Sequence, residues 1–259
     1  YEMLGWLYYF IDIEKSVKNY IKAFNLSYQI NYIDYDSFGN FMLALTRHPN
    51  YTQSQLKNLI ENYPQYDYVV VNDGSKDQTA EICKKNHFNL LDQPINLGLA
   101  GAFQTGMKYA YEMGYDAAIQ FDGDGQHDPE FISSLVEELD NGYDYIIGSR
   151  FVSEKKPFTM RMVGSRILSF CIYLKTGKKI NDPTSGMRVL GKRVLKEFSE
   201  NMNFIAEPDA VTYILKRDYK VKEVQVKMKD RTEGVSYFHN PLKSVKYMYD
   251  TIISIIFLV

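Results

Sequence analysis

Between residues 53 and 151 unbroken apolar runs alternate with amphipathic ones, and no other feature restricts the fold of this chain as much. QSQLKNLIENYP (53–64) has helical apolar spacing and stops at Pro64, whereas YDYVVVND (66–73) is a continuous apolar run of the kind buried on both faces of a parallel sheet. The order then repeats. DQTAEICKKN reads as a helix, FNLLDQ as a short strand, NLGLAGA as a Gly-rich turn, FQTGMKYAYEMG as a helix and YDAAIQ as a buried strand. FISSLVEELDNG, apolar at 131, 132, 135, 136 and 139, is a further amphipathic helix, and YDYIIGSRF (143–151) a further strand. Strand and helix in alternation mean βαβ units around a mostly parallel sheet, an α/β fold. Upstream, Phe41 to Leu45 form a short apolar run closed by Pro49, which we read as a strand.

Two strand ends carry acids beside glycine. After YDAAIQ come Phe121, Asp122, Gly123, Asp124, Gly125 and Gln126, and after YDYVVV come Asn72, Asp73, Gly74 and Ser75. In an open α/β sheet, ligands bind at the carboxyl ends of the strands. Two carboxylates two residues apart in a Gly-punctuated turn can converge on one hard cation, and Gln126 adds a neutral oxygen at the same spacing. A solvated acidic turn is the plainer alternative for an isolated D-x-D, and an ordinary turn is the alternative for NDGS. Together, however, a carboxylate with open backbone amides suits the ribose and base of a nucleotide, while a metal at the neighbouring strand end suits its diphosphate. No Walker loop occurs, and NLGLAG lacks the GxGxxG spacing of dinucleotide folds.

The whole-chain balance of 30 Lys and Arg against 32 Asp and Glu, net −2, gives no basic field, so nucleic acid is not the expected partner. Cys83 and Cys171 fall in different predicted helices and match no metal or redox spacing, which suits reduced core thiols in the cytoplasm. The chain opens on Tyr1, as expected of a piece of a longer protein, and no basic segment with a cleavage site is visible.

Five stretches, VVVNDGSKDQT, NLGLAGAFQTGMKYA, IQFDGDGQHDPE, IIGSRF and INDPTSGMR, stand in the order and at the spacing found in family 2 glycosyltransferases. From residue 53 to about 250 the chain resembles in particular the branch of dolichyl- and polyprenyl-phosphate sugar transferases and related bacterial surface-polysaccharide enzymes. The resemblance implies a GT-A fold spanning 41–240, a nucleotide-sugar donor with UDP favoured, Mg²⁺ or Mn²⁺, and inversion at the anomeric carbon. It further implies a lipid-phosphate, glycolipid or polysaccharide acceptor met at the cytoplasmic face of the membrane, with peripheral membrane association.

Roles follow residue by residue. Asp73, with Gly74 and Ser75, resembles the nucleoside-holding loop; Asp122 and Asp124, with Gly123 between them, resemble the acidic motif that meets the metal; Gln126 matches the further ligand of the polyprenyl branch. Arg150, Arg161 and Arg166 are candidates for guanidinium contacts to donor or acceptor phosphate, a solvated helix face being the alternative for the last two. Asp182 is either the base that takes an acceptor proton or an acceptor-orienting residue, with a turn Asp as the plain alternative. Glu207, Pro208 and Asp209 open a predicted helix, where acids suit the dipole. YKVKEVQVKMKDR alternates as a half-buried strand leading to Arg231, a candidate phosphate contact in a stretch that the family closes over its donor.

Members of this family open with an apolar strand and an acidic loop that grips base and ribose. Here the strand survives, but Arg47, His48, Pro49 and Asn50 replace the loop. That departure leaves open a catalytically inactive GT-A domain acting as a scaffold; a nucleotidyltransferase on the same sheet is the other alternative. Residues 1–40 have helical apolar spacing and no counterpart in the family. Residues 241–259 place Lys243 and Lys246 before an apolar run too short to span a bilayer, read either as an interfacial helix or as one closing the core.

Overall fold

The computed structural model describes residues 40–46, 61–122, 126–200, 208–229 and 241–259. Its centre is a seven-stranded sheet in the order β3-β2-β1-β4-β6-β5-β7. The strands are β1 (Asn40–Thr46), β2 (Tyr66–Asn72), β3 (Leu90–Asp92), β4 (Ala117–Asp122), β5 (Tyr145–Ser149), β6 (Arg188–Gly191) and β7 (Val221–Gln225). Helices α1 (Thr79–Lys85), α2 (Gly98–Glu112), α3 (Ile132–Asp140), α4 (Met160–Thr176), α5 (Lys192–Glu200), α6 (Pro208–Lys216) and α7 (Pro241–Ile253) connect and flank them. All neighbouring pairs are parallel except the two made by β6. The expected strand at Phe41 to Leu45 is therefore present as β1, and it is central: β2 pairs with one side of it and β4 with the other.

One expectation is corrected. The stretch NLGLAGA is not a turn throughout, because α2 already begins at Gly98. Its first amides find partners outside the helix: the Leu97 N–H donates to Asp73 Oδ1 at 2.6 Å and the Gly98 N–H to Asn96 Oδ1 at 3.1 Å. Capping from a distant loop offsets the low helix propensity of the glycines. β6, which begins one residue after DPTSG and runs against its neighbours, is a strand the sequence had not marked, and it leaves the sheet mostly parallel as expected. Most of the expected helix QSQLKNLIENYP, the loop after β1, and residues 1–39 lie outside the described residues.

The core explains the alternation. Val69, Val70 and Val71 of β2, Ile146 and Ile147 of β5, and Val189 and Leu190 of β6 are buried completely or nearly so, as expected of strands covered on both faces. Phe103 of α2 meets Phe198 of α5 edge to face, with ring centroids 5.6 Å apart. The C-terminal segment joins this core: Ile255, in the π-turn Ser254–Leu258 that continues α7, is fully buried, and Met248 and Ile252 pack against the same cluster. Among the described residues no helix is long and apolar enough to cross a membrane.

Asp209, in the first turn of α6, is buried under this terminal segment, where the Ser254 hydroxyl donates to its Oδ2 at 2.8 Å. Burial pushes its carboxyl above the usual range, against the pull of Ser254, the Ala210 amide and Arg188. An acid with a raised folded pKa contributes stability below its unfolded value, about 3.9, and loses it as pH rises through the folded value. Ionised Asp209 is thus a cost at neutral pH. Asp209→Asn, whose Oδ1 can accept the Ala210 amide while its Nδ2 donates to the Ser254 hydroxyl oxygen, is expected to match or exceed the wild-type urea midpoint at pH 7.5, with the difference closing towards pH 4. A variant clearly less stable at pH 7.5 would refute this account.

Candidate active site

The strand order places the site. β1, β2 and β3 run to one side, β4 opens the other, and the crevice at such a switch lies outside the carboxyl ends. Register puts Thr46 opposite Asn72 and Leu45 opposite Asp122, so Asp73 and Asp122 stand at the same sheet edge with β1 between them. Two interstrand steps separate them by about 10 Å. Because β6 is antiparallel, its first residue pairs at that edge, Arg188 with Gln120, and the DPTSG loop arrives there with it. Arg150 follows Ser149, the last residue of β5. Asp73, Asp122, Arg150 and Asp182 are thereby brought to one edge by topology.

At the first of these ends Gly74 adopts φ +60°, and a Cβ there would lie 2.6 Å from the Asn96 nitrogen, so only glycine fits between this loop and α2. Asp73 is 5% exposed, and its backbone carbonyl also accepts from Asn96 Nδ2 at 2.9 Å. The Ser75 N–H donates to Asn72 Oδ1. The loop is built as a rigid shelf.

Asp122 ends β4 with 32% of its side chain exposed. Its N–H donates to His127 Nδ1 at 3.0 Å, which leaves the imidazole hydrogen on Nε2, 3.8 Å from Asp122 Oδ2. Gln120 Nε2 donates to Oδ1 at 3.3 Å. A Cβ on Gly186 would lie 2.7 Å from Asp122 Oδ2, so the DPTSG loop can approach the carboxylate only because that residue has none. Gln126 lies beyond the turn, its carbonyl accepting from the Lys229 N–H. Gly123 and Asp124 lie outside the described residues, among which no three His, Cys, Asp or Glu side chains converge. Of the expected ligands only the Asp122 carboxylate is placed at this edge, a hard oxygen donor of the kind a divalent cation takes, with the Gly186 backbone close beside its Oδ2.

Arg150 and Asp182 form a forked pair: Nε donates to Oδ2 at 2.7 Å, Nη2 to Oδ1 at 2.8 Å, and the Arg150 N–H to Oδ2 at 3.1 Å. The Asp182 carboxylate is fully buried while the guanidinium is 20% exposed. Burial opposes its ionisation, but the hydrogen bonds and charge of Arg150 outweigh that and hold the carboxyl below its usual range. A carboxylate so saturated and so acidic is a poor proton acceptor. Of the three readings open in the sequence, this geometry suits an orienting residue or a structural turn Asp better than a base.

Two residues that bond to this pair's backbone, and one that braces the loop after Asp182, escaped the sequence. Glu223 of β7 accepts the Asn181 and Asp182 amides, both at 2.7 Å. Gln225, on the same face of β7, accepts from the Val152 and Ser153 amides and donates to the Arg150 carbonyl. Arg188, 1% exposed, donates to the Ser185 and Pro183 carbonyls. The only local signal was the polar side chains of β7 at alternate positions.

Of the other candidates, Arg161 is exposed in the first turn of α4, and Arg166 donates to the Lys156 and Pro157 carbonyls. Glu207 and Arg231 lie outside the described residues. Beside the Arg150 pair a cavity of about 460 Å³ is lined by Lys156, Arg166, Lys179 and Glu154 together with Phe151, Phe170 and Tyr173.

Residues 44–199 match the model of the family described as Glycosyl transferase family 2. The chain is 33% identical over 208 residues to a UDP-N-acetylglucosamine–dolichyl-phosphate N-acetylglucosaminyltransferase of Methanococcus voltae, covering 69% of this chain and 82% of that one. It is 27% identical over 187 residues to a polyprenol monophosphomannose synthase of Mycolicibacterium smegmatis, covering 67% and 70%. Among solved structures it resembles glucosyl-3-phosphoglycerate synthase from Mycobacterium tuberculosis in complex with Mn²⁺, UDP-glucose and phosphoglyceric acid, with TM-score 0.62 and 15% identity over 84% of this chain and 79% of that one.

Proposed function

We propose, for a chain that belongs to glycosyltransferase family 2 and carries its GT-A fold, that it moves a sugar from a UDP-sugar to a lipid-phosphate acceptor at a membrane surface. The observation that supports it is the shared edge: the shelf at Asp73, the carboxylate of Asp122 and the Arg150–Asp182 pair stand at one edge of the sheet. The acceptor class is supported by the relatives, two of which are named for dolichyl-phosphate and polyprenol substrates.

In this reading Asp73, Gly74 and Ser75 shape the nucleoside side of the crevice, and Asp122, Asp124 and Gln126 hold Mg²⁺ or Mn²⁺. The cation, when bound, neutralises charge on the departing nucleoside diphosphate. His127 fixes the backbone of Asp122, and Gly186 lets the DPTSG loop close on it. Arg150, aimed by Asp182 and backed by Glu223 and Gln225, presents its guanidinium edge to phosphate, with Arg161 and Arg231 as further contacts. A phosphate acceptor is already ionised, so a buried, saturated Asp182 needs no role as base.

Thermal shift with UDP, GDP, CDP and dTDP, each with and without Mn²⁺, tests the donor. Diphosphate beside two carboxylates is repelled unless a cation lies between them, so the shift is expected only with metal, with UDP first. Ligand at about 100 times its Kd adds about 2.7 kcal/mol, a shift of several degrees in a domain this size. If no nucleotide moves the transition with metal present, the inactive scaffold becomes the better reading, with the replaced loop at 47–50 as its cause.

A further inference from the structure

β7 stands last in the sheet order, with a ladder to β5, and its chain runs on past the last ladder pair as Val226, Lys227, Met228 and Lys229. One side of this run is set in the core. Val226 is 1% exposed, and Val224 and Met228 pack against the cluster that holds Phe121, the residue before Asp122. Glu223 and Gln225 fall on the other face. There Glu223 takes the Asn181 amide on Oε2 and the Asp182 amide on Oε1, both at 2.7 Å. Gln225 takes the Val152 and Ser153 amides and donates to the Arg150 carbonyl at 3.0 Å. Both members of the Arg150–Asp182 pair thus have their backbone bonded to one strand. Core packing accounts for the apolar side of β7 and not for this polar one.

The same run also reaches the turn after β4. Met228 and His127 form an antiparallel bridge, the Lys229 N–H donates to the Gln126 carbonyl at 3.0 Å, and the Lys229 ammonium lies 2.7 Å from Asp128 Oδ2. His127 in turn accepts the Asp122 N–H, and Asp128 accepts the Glu130 N–H in the 3₁₀ turn before α3. β7 is parallel to β5, and β5 and β4 both run against β6, so β7 and β4 end at the same edge. Three interstrand steps, about 14 Å, separate them. Six residues of chain reach at most about 20 Å, enough to cross that edge.

We infer that the run from Glu223 to Lys229 is a strap across the carboxyl edge, with Glu223 and Lys229 as positioning residues that set the acidic turn and the Arg150–Asp182 pair in one mutual arrangement. Loops bonded to the same segment open and close together, because loosening that segment takes a partner from each. An edge strand is where such loosening costs least. A ligand that orders one side is therefore helped by order on the other, and the help is reciprocal. The inference rests on the donor and acceptor sides proposed above for its purpose, whereas the strap itself is tested without either ligand.

Amide hydrogen exchange of the full chain, with no ligand present, reads the strap from both ends. Lys229→Pro removes the N–H that Gln126 accepts and the ammonium beside Asp128, and Lys229→Arg keeps both kinds of bond. In Lys229→Pro the Asn181 and Asp182 amides, at the far end, are expected to exchange about fivefold faster or more, and in Lys229→Arg at the wild-type rate. In Glu223→Gln, whose one amide oxygen replaces two carboxylate oxygens, the Lys229 amide should quicken likewise. Amides of β2 should not change in any variant. Faster exchange confined to the altered end, or spread equally to β2, would overturn the inference; should Lys229→Pro not fold, Glu223→Gln decides. Binding of Mn²⁺ with UDP separates positioning from mere bracing. Glu223→Gln, on the acceptor side, is expected to weaken that binding about threefold or more, and unchanged affinity would overturn the positioning role. If the unliganded exchange is as expected and the wild type binds no nucleotide, the donor reading falls and the strap stands.

Discussion

Asp122→Asn is expected to lower kcat by about a hundred- to a thousandfold with the urea midpoint unchanged. The two halves of that statement have separate grounds. A bound cation that neutralises leaving-group charge supplies several kcal/mol to the transition state, and each 1.36 kcal/mol is a factor of ten in rate. The fold has little at stake in the charge, because the side chain is a third exposed at a strand end and its structural hydrogen bond, to His127, is made by the backbone N–H. An isosteric exchange at such a position costs within about 0.5 kcal/mol. The Mn²⁺-dependent nucleotide shift should vanish with the activity, and Asp124→Asn should behave alike. Unchanged turnover in either variant, or full activity in excess chelator, would remove the metal from the account.

The strand leading to Asp122 was legible because everything that makes it a strand is local. AAIQF is apolar and short, and β4 occupies Ala117–Asp122. The same holds for β2 and for β1, whose apolar run was enough to mark a strand although the family's loop after it has gone. Legibility stops where the deciding partner is distant in sequence. Glycines 98 and 101 argue locally for a turn, yet α2 starts there because Asp73, 24 residues earlier, accepts its first amide. β6 begins with arginine, which argues against a buried strand, and its guanidinium is satisfied by carbonyls of the preceding loop.

The site divides in the same way. Its acids announce themselves beside glycine at strand ends, whereas the residues that aim them do not. Glu223 and Gln225 sit on β7, an edge strand whose alternation reads as half-buried surface, and their contacts with 150–153 and 181–182 exist only once β7 has paired beside β5. Gly186 is one glycine in a turn until β6 brings it against Asp122. Asp182 was legible as an acid in a loop, but its surroundings were not: its pairing with Arg150, 32 residues away, and its burial are encoded in no local pattern.

Arg150→Ala is expected to produce the largest loss of stability of any variant considered, about 3–5 kcal/mol, because it strands the fully buried Asp182 carboxylate without its partner. In a domain of this size that lowers Tm by about 6–20 °C. Two controls identify the mechanism. Asp182→Asn in the Arg150→Ala background removes the buried charge and should recover much of the loss. The second control is pH. In the wild type the Asp182 pKa is depressed, so its contribution is present above the unfolded value, about 3.9, and is lost as pH falls through the folded value. In Arg150→Ala the burial that opposes ionisation is no longer outweighed, the pKa rises, and protonation relieves the cost as pH falls towards 4. The stability gap between wild type and variant should therefore be widest near pH 7 and narrow in acid. A gap independent of pH, or a double variant no more stable than the single one, would mean that Arg150 is held there for phosphate alone and that Asp182 is not the anchor the geometry describes.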